Sequence, residues 1–143
     1  MKPELRMRWQ WRHRRAGELD HELIWLSVTV IGAAFSALWL ALRLPWPVCT
    51  FRELTGHPCA TCGATRAGLA FLHGHPGAAW HFNPLMSVLF CAIALFDLYA
   101  LTVLVSGAPR MRVSQPSRAA RKWILGAAGV VVLLNWLYLL RTY

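Results

Sequence analysis

The sequence predicts an all-α integral membrane protein with three transmembrane helices and a Cys-rich outer loop. Of the 143 residues, 57% are hydrophobic and only 15% are charged, whereas about 25% of the residues in a soluble domain are charged. The apolar residues are concentrated in three long runs. A chain of this length forms one domain, whose interior is too small to hide so much apolar surface from water. We therefore expect the helices to lie in a lipid bilayer.

The first predicted span covers residues 23–44 and follows a basic N-terminal segment, residues 1–22. Its core, Leu23–Leu42, carries no charge, and a helix of that length extends about 30 Å, the thickness of a bilayer core. Pro45 and Pro47 follow, and proline ends a helix. Because no small-residue cleavage site follows the run, we interpret it as an uncleaved span rather than a signal peptide.

Residues 84–107 form the second predicted span and residues 123–140 the third. Pro84 suits the first turn of a helix, and Gly107 suits its end. The third span contains a Gly-Ala-Ala-Gly run, and small residues allow another helix to approach closely. We therefore expect contacts with other membrane proteins or self-association.

Two polar residues, Asp97 and Asn135, interrupt the second and third spans. A carboxylate inside the bilayer is costly, so Asp97 should be neutral, paired or facing water. Asn135 is one candidate partner for it. Arg66 is another, if its segment folds back into the membrane.

The basic residues predict the orientation. Eleven of the fifteen Lys and Arg lie in residues 1–22 and in the second connection, residues 108–122. Since basic residues favour the cytoplasmic side, the outer loop, residues 45–83, and the C-terminus should lie outside. The run RWQWRHRR alternates basic and aromatic residues, but directly before a membrane helix it indicates an anchor to anionic lipid and no nucleic-acid partner.

The outer loop contains three of the four cysteines and four of the six histidines: Cys49, Cys59, Cys62, His57, His73, His75 and His81. Its apolar piece, Ala64–Leu72, is too short to cross a bilayer. It is expected to form an interfacial or re-entrant helix, capped by Thr61 or Thr65.

The loop motifs have a recognisable order. Cys49 is followed by a Pro-Cys-x-x-Cys-Gly-x-Thr-Arg-Ala block at Pro58–Ala67 and by Asn-Pro-Leu at Asn83–Leu85. This order resembles domain-of-unknown-function family 2752, an uncharacterised family of bacterial membrane proteins, although Ala60 stands where that family often has proline. The resemblance implies an inner-membrane location and no particular activity. It marks the following as structural motif residues: Gly63, Thr65, Arg66, Asn83 and Pro84.

Three interpretations of the cysteines remain open. A disulfide from Cys49 to Cys59 or Cys62 would close a loop of about a dozen residues, worth roughly 3 kcal/mol. A zinc site would need four ligands, which the three cysteines and His57 or another loop histidine can supply. A reactive C-x-x-C pair at a helix N-terminus would support thiol redox catalysis, with Cys49 as a resolving thiol and a quinone as electron acceptor.

The leading functional hypothesis is a non-enzymatic subunit, partner or assembly factor of the bacterial inner membrane, with its outer loop held by a disulfide or a metal. The alternative hypothesis is a membrane thiol-disulfide oxidoreductase that uses the C-x-x-C pair. The sequence contains no P-loop and no G-x-G-x-x-G motif, which argues against a nucleotide-dependent enzyme.

Overall fold

A computed structural model describes residues 9–13, 17–45, 48–113 and 116–143. Much of the predicted basic N-terminal segment and Pro47 lie outside these residues. The described elements are, in order, β1 (Trp9–Arg12), α1 (His21–Ala41), α2 (Thr50–Thr55), α3 (Ala64–Leu72), α4 (Pro76–Phe82), α5 (Pro84–Ser106), β2 (Arg110–Val113) and α6 (Arg118–Thr142).

Helices α1, α5 and α6 have 21, 23 and 25 residues and are long and apolar enough to cross a membrane. Their large apolar side chains are widely exposed, as Ile31 (68%) and Leu95 (68%) illustrate. Apolar surface of this extent requires lipid or a partner to cover it. The predicted class, an all-α protein with three spans and a short helix near the cysteines, is confirmed.

The helix ends follow from local capping. Helix α1 begins at His21 because the carboxylate of Asp20 accepts the Leu23 N–H at 3.2 Å. Helix α6 begins at Arg118, five residues before the predicted third span, because the Ser117 hydroxyl accepts the Ala120 N–H at 3.1 Å. Both helices therefore begin with a turn that contains charged residues. These turns lie outside the apolar spans that hydropathy predicts.

The structure separates into two compact units. The first comprises the described residues of Met1–Leu44 and Ile93–Trp123, and the second those of Pro45–Ala92 and Ile124–Tyr143. The first unit contains an antiparallel two-stranded sheet, in which Trp9 pairs with Val113 and Arg12 with Arg110. The sequence analysis does not predict this sheet, because its two short strands lie in segments that read as basic connections.

An ion-pair network accompanies the sheet in the first unit. The side chain of Glu22 is only 4% exposed and accepts from Arg112 at 2.7 and 3.2 Å and from Arg110 at 3.4 Å. Asp20 accepts from Arg110 at 2.7 Å. Glu18 forms an ion pair with Arg112 at 3.4 Å and accepts a hydrogen bond from Arg12 at 2.8 Å. Acids before and at the start of α1 thus neutralise the arginines of β1 and β2.

Asp97 has a partner that the sequence analysis does not name. Its Oδ1 atom lies 3.0 Å from the hydroxyl oxygen of Thr29 on α1. The two candidates left open by the sequence, Asn135 and Arg66, make other contacts, described below. The Thr29 hydroxyl also lies 3.0 Å from the carbonyl oxygen of Leu26 in its own helix. Hydropathy does not identify such a threonine as the partner of a buried acid.

Replacing Glu22 by Gln should lower the free energy of unfolding by about 1–3 kcal/mol, because Arg110 then keeps only Asp20 and Arg112 only Glu18 as a charge partner. Thermal and denaturant unfolding of the purified protein in detergent measure this loss. Glu53→Gln is the matched control, since Glu53 is an exposed acid on α2 and its variant should unfold like the wild type. Equal stabilities of the two variants would contradict the role assigned to the network.

Candidate functional site

Three thiols meet in the second unit. The Sγ atom of Cys59 lies 3.4 Å from that of Cys49 and 3.6 Å from that of Cys62, and all three Sγ atoms lie within 4.8 Å of one another. We call these residues the thiol cluster. All four cysteines of the chain are free thiols, and Cys91, exposed on α5, does not belong to the cluster.

The C-x-x-C-Gly segment is a tight turn that leads into α3. The N–H of Cys62 donates to the Cys59 carbonyl at 3.1 Å, and the N–H of Ala64 donates to the Thr61 carbonyl at 3.0 Å. Gly63 caps α3 in a left-handed conformation, with φ 81° and no side-chain hydrogen bond. The predicted threonine caps were wrong because the turn needs a positive φ, which favours glycine. The predicted end of the helix near residue 72 is correct.

Gly63 is also required by its surroundings. A Cβ atom at this position would collide with the hydroxyl of Tyr143 and would lie 2.8 Å from the carbonyl oxygen of Phe82. Tyr143 is held there because its hydroxyl donates to the same carbonyl at 3.4 Å. The end of α6 therefore packs directly against the glycine of the cysteine turn.

Asn83 connects the turn to α5. Its side-chain N–H groups donate to the carbonyls of Ala60 at 3.1 Å and Cys62 at 3.0 Å. Its Oδ1 accepts the Met86 N–H at 3.1 Å, which caps the helix. Pro84 follows at the first helical position, where no N–H is needed. Since Asn83 is fully buried, each of these hydrogen bonds replaces one that water would otherwise make.

Helix α6 connects to the same turn. The side chain of Asn135, 6% exposed, donates to the Ala60 carbonyl at 3.0 Å and accepts the Leu85 N–H at 3.0 Å. The indole N–H of Trp136 donates to the Pro58 carbonyl at 2.8 Å. Asn83, at the start of α5, and two residues of α6 thus donate hydrogen bonds to the backbone of the segment that holds Cys59 and Cys62.

Arg66 lies outside the cluster. Its guanidinium carbon is 5.5 Å from the centre of the Tyr143 ring and 5.9 Å from that of Phe82. Arg52, on α2, approaches the Tyr143 ring to 5.5 Å as well. Thr65 is exposed beside Arg66. The arginine of the motif therefore contacts aromatic rings at the end of α6 and α4 rather than an intramembrane acid.

Among the described residues, the group of candidate metal ligands contains three cysteines and no histidine. His57 is exposed, and its Nδ1 lies 2.8 Å from the carbonyl oxygen of Thr55. The structure therefore does not bring His57 together with the thiols. Three thiolates are soft ligands of the kind that bind Zn²⁺ or Cu⁺, so the cluster offers three metal ligands where a structural zinc site uses four.

The two thiols of the C-x-x-C pair differ in acidity. Burial acts to raise the pKa of Cys59, but hydrogen bonds from Thr61, Cys49 and Cys62 outweigh it and lower that pKa from 9.0 to about 7. Burial raises the pKa of Cys62 to about 11, although the Cys59 N–H donates to its sulfur at 3.2 Å. At neutral pH the more accessible thiol is thus partly ionised, while the buried one stays protonated.

These observations define the class of protein: a membrane protein with three helices long and apolar enough to span a bilayer and with a thiol cluster in a loop that is hydrogen-bonded by Asn83, before α5, and by residues of α6. A family model described as "Protein of unknown function (DUF2752)" matches residues 49–96, which include the whole cluster, and confirms the resemblance noted from the motifs. No curated protein and no solved structure matches the chain.

Sequence analysis missed several residues that build the site. Ala60 contributes only its carbonyl, and a carbonyl leaves no trace in residue type. Trp136 falls inside the predicted third span and Tyr143 beyond its end, although each bonds to the loop. The one signal in the sequence that α6 contacts the loop is the adjacent pair Asn135 and Trp136, whose polar groups lie near the end of an apolar run.

Gly63→Ala should destabilise the protein clearly more than Gly74→Ala. Both glycines have positive φ, at 81° and 73°, so both variants bear the same backbone strain of about 1 kcal/mol. At Gly74 nothing lies within 4 Å of an added Cβ, whereas at Gly63 the methyl group meets the Tyr143 hydroxyl and the Phe82 carbonyl. Thermal unfolding of the two variants in detergent tests the difference. Similar melting temperatures would show that the packing against α6 is unimportant.

Cys59 should be alkylated by iodoacetamide much faster than Cys62 at neutral pH. Its rate should rise with pH and level off above about pH 8, since the thiolate is the reacting form and its pKa is about 7. The alkylation rate of Cys62, whose pKa is about 11, should still rise with pH above pH 8. Peptide mass spectrometry after timed labelling measures both rates. Equal rates at every pH would refute the assigned asymmetry.

Proposed function

We propose that the protein is a bacterial inner-membrane thiol-disulfide exchange protein in which Cys59 is the attacking thiol. The observation that carries the proposal is the position of the Cys59 sulfur between two others, 3.4 Å from Cys49 and 3.6 Å from Cys62. A thiol that forms a mixed disulfide with a partner is released when a neighbouring thiol attacks it. Cys59 has two such neighbours.

The backbone of the cysteine turn is bonded by side chains other than the thiols. Asn83, Asn135 and Trp136 already hold the turn through four hydrogen bonds to its carbonyls. This supports a chemical role for the thiols over the structural role that the sequence analysis favoured.

The proposed exchange is balanced with one partner disulfide. The Cys59 thiolate attacks one partner sulfur, so that a mixed disulfide forms, and the other partner sulfur leaves as a thiolate and takes up a proton. Cys49 or Cys62 then loses its proton and attacks Cys59, which releases the second partner sulfur as a thiol. Two electrons and two protons pass to the partner, and two thiols of this chain become a disulfide. A dithiol protein resets the chain by the reverse steps.

The second candidate is the non-enzymatic subunit, partner or assembly factor that the sequence suggests. It is favoured by the surface of α6, where no atom of the described residues lies within 4 Å of a Cβ added at Gly126 or Gly129. Such small residues allow close contact with another membrane helix. In this case the thiol cluster would hold a bridge or a metal ion, and no exchange would occur.

The proposed orientation places the thiol cluster outside the cytoplasm, with the N-terminus inside. It is supported by the distribution of basic residues, of which eleven lie in residues 1–22 and 108–122 and four elsewhere. An oxidising compartment is where disulfides form and persist. The cluster would there meet partner proteins that carry disulfides.

The test treats the reduced, full-length protein in detergent with a small aromatic disulfide and follows intact mass. The cluster of the wild type should lose two hydrogens and keep no label, because a neighbouring thiol displaces the adduct; a retained label should lie only on Cys91, which is outside the cluster. The C49S/C62S variant should keep the label on Cys59. C59S should react at least about tenfold more slowly, since it lacks the ionised thiol. C91S, which alters the exposed cysteine outside the cluster, is the matched control and should behave like the wild type.

Three results would overturn the proposal. One is a C59S variant that reacts as fast as the wild type. Another is a metal ion that copurifies with the protein and protects all three thiols, which would assign a metal centre. The third is a disulfide that survives mild reductant, which would assign a structural bridge and favour the partner role.

A further inference from the structure

Two arginines of the outer loop converge on one aromatic ring. The guanidinium carbons of Arg52 on α2 and Arg66 on α3 each lie 5.5 Å from the centre of the Tyr143 ring. Both arginines are exposed. Across the described residues, neither guanidinium lies within ion-pair distance of a carboxylate. Since each guanidinium carbon is 5.5 Å from the same ring centre, the two like charges lie at most about 11 Å apart.

This arrangement suits an anion with several oxygens. A guanidinium presents parallel N–H groups that pair with two oxygens of a phosphate. Contact with the tyrosine ring restricts each side chain, so less freedom is lost when an anion binds. An anion held by both groups would also remove their mutual repulsion.

The surroundings indicate where that phosphate comes from. The same short helices expose large apolar side chains, namely Leu54 at 81%, Leu72 at 79% and Trp80 at 52%. Exposed leucines and a tryptophan beside cations are typical of segments that lie in the interface of a bilayer. A binding site for a soluble ion would have no need of them.

We propose that Arg52 and Arg66 together bind the phosphate group of an anionic phospholipid in the leaflet that the outer loop faces. The lipid would hold α2 and α3 at the membrane surface, with Leu54 and Leu72 in contact with its acyl chains. This inference rests on the spanning helices and the arginine pair, so it stands or falls independently of the thiol chemistry.

The test is native mass spectrometry of the full-length protein in detergent with mixtures of phosphatidylglycerol and phosphatidylcholine. The wild type should retain phosphatidylglycerol preferentially. In R52Q/R66Q the affinity should fall about tenfold, equivalent to roughly 1.4 kcal/mol. R43Q/R141Q is the matched control, because it removes the same charge from two other exposed arginines, and it should retain the preference.

A conservative variant guards against a folding defect. R52K/R66K keeps both charges but loses the paired N–H groups, so it should bind phosphatidylglycerol more weakly than the wild type and more tightly than R52Q/R66Q. Equal retention of the two lipids by the wild type would overturn the proposal. So would an equal loss in R43Q/R141Q, or binding of inorganic phosphate that matches binding of the lipid.

Discussion

The carbonyl oxygen of Ala60 accepts hydrogen bonds from both Asn83 and Asn135, and the architecture of the outer loop depends on this shared acceptor. Asn83 precedes α5 directly and Asn135 lies within α6, so one backbone oxygen is held by two asparagines that are 52 residues apart in sequence. A buried amide without partners costs about 1–3 kcal/mol. Each asparagine needs the carbonyls of the turn as hydrogen-bond acceptors, and the turn needs the asparagines as donors. These bonds restrain the backbone between Cys59 and Cys62.

This constraint explains how the thiols are presented. The turn fixes Cys62 in a buried position and leaves Cys59 partly accessible, while Cys49, which precedes α2, completes the group from outside the turn. The difference in pKa between the two paired thiols arises from their unequal hydrogen bonding and burial. The amide and indole donors of Asn83, Asn135 and Trp136 bond to the backbone of this segment and not to its sulfur atoms.

The first unit is organised by charge. Glu18, Asp20 and Glu22 bind the arginines of the two short strands, which pair with each other across almost a hundred residues of sequence. These contacts give the basic segments a defined structure. Ion pairing with acids does not weaken the orientation signal of these segments. Membrane helices are oriented by the number of Lys and Arg residues in their connections and not by the net charge.

The sequence by itself determined the three spanning helices and the cysteine motif, because length, hydropathy and motif order are properties of contiguous residues. It also indicated that Asn83, Pro84 and Gly63 belong to one structural motif. Only the tertiary structure decided that Asp97 meets Thr29, that Asn135 meets Ala60, and that His57 lies apart from the thiols. These contacts join residues through the relative rotation and register of helices that are distant in sequence, and a polar side chain does not reveal which distant group will satisfy it.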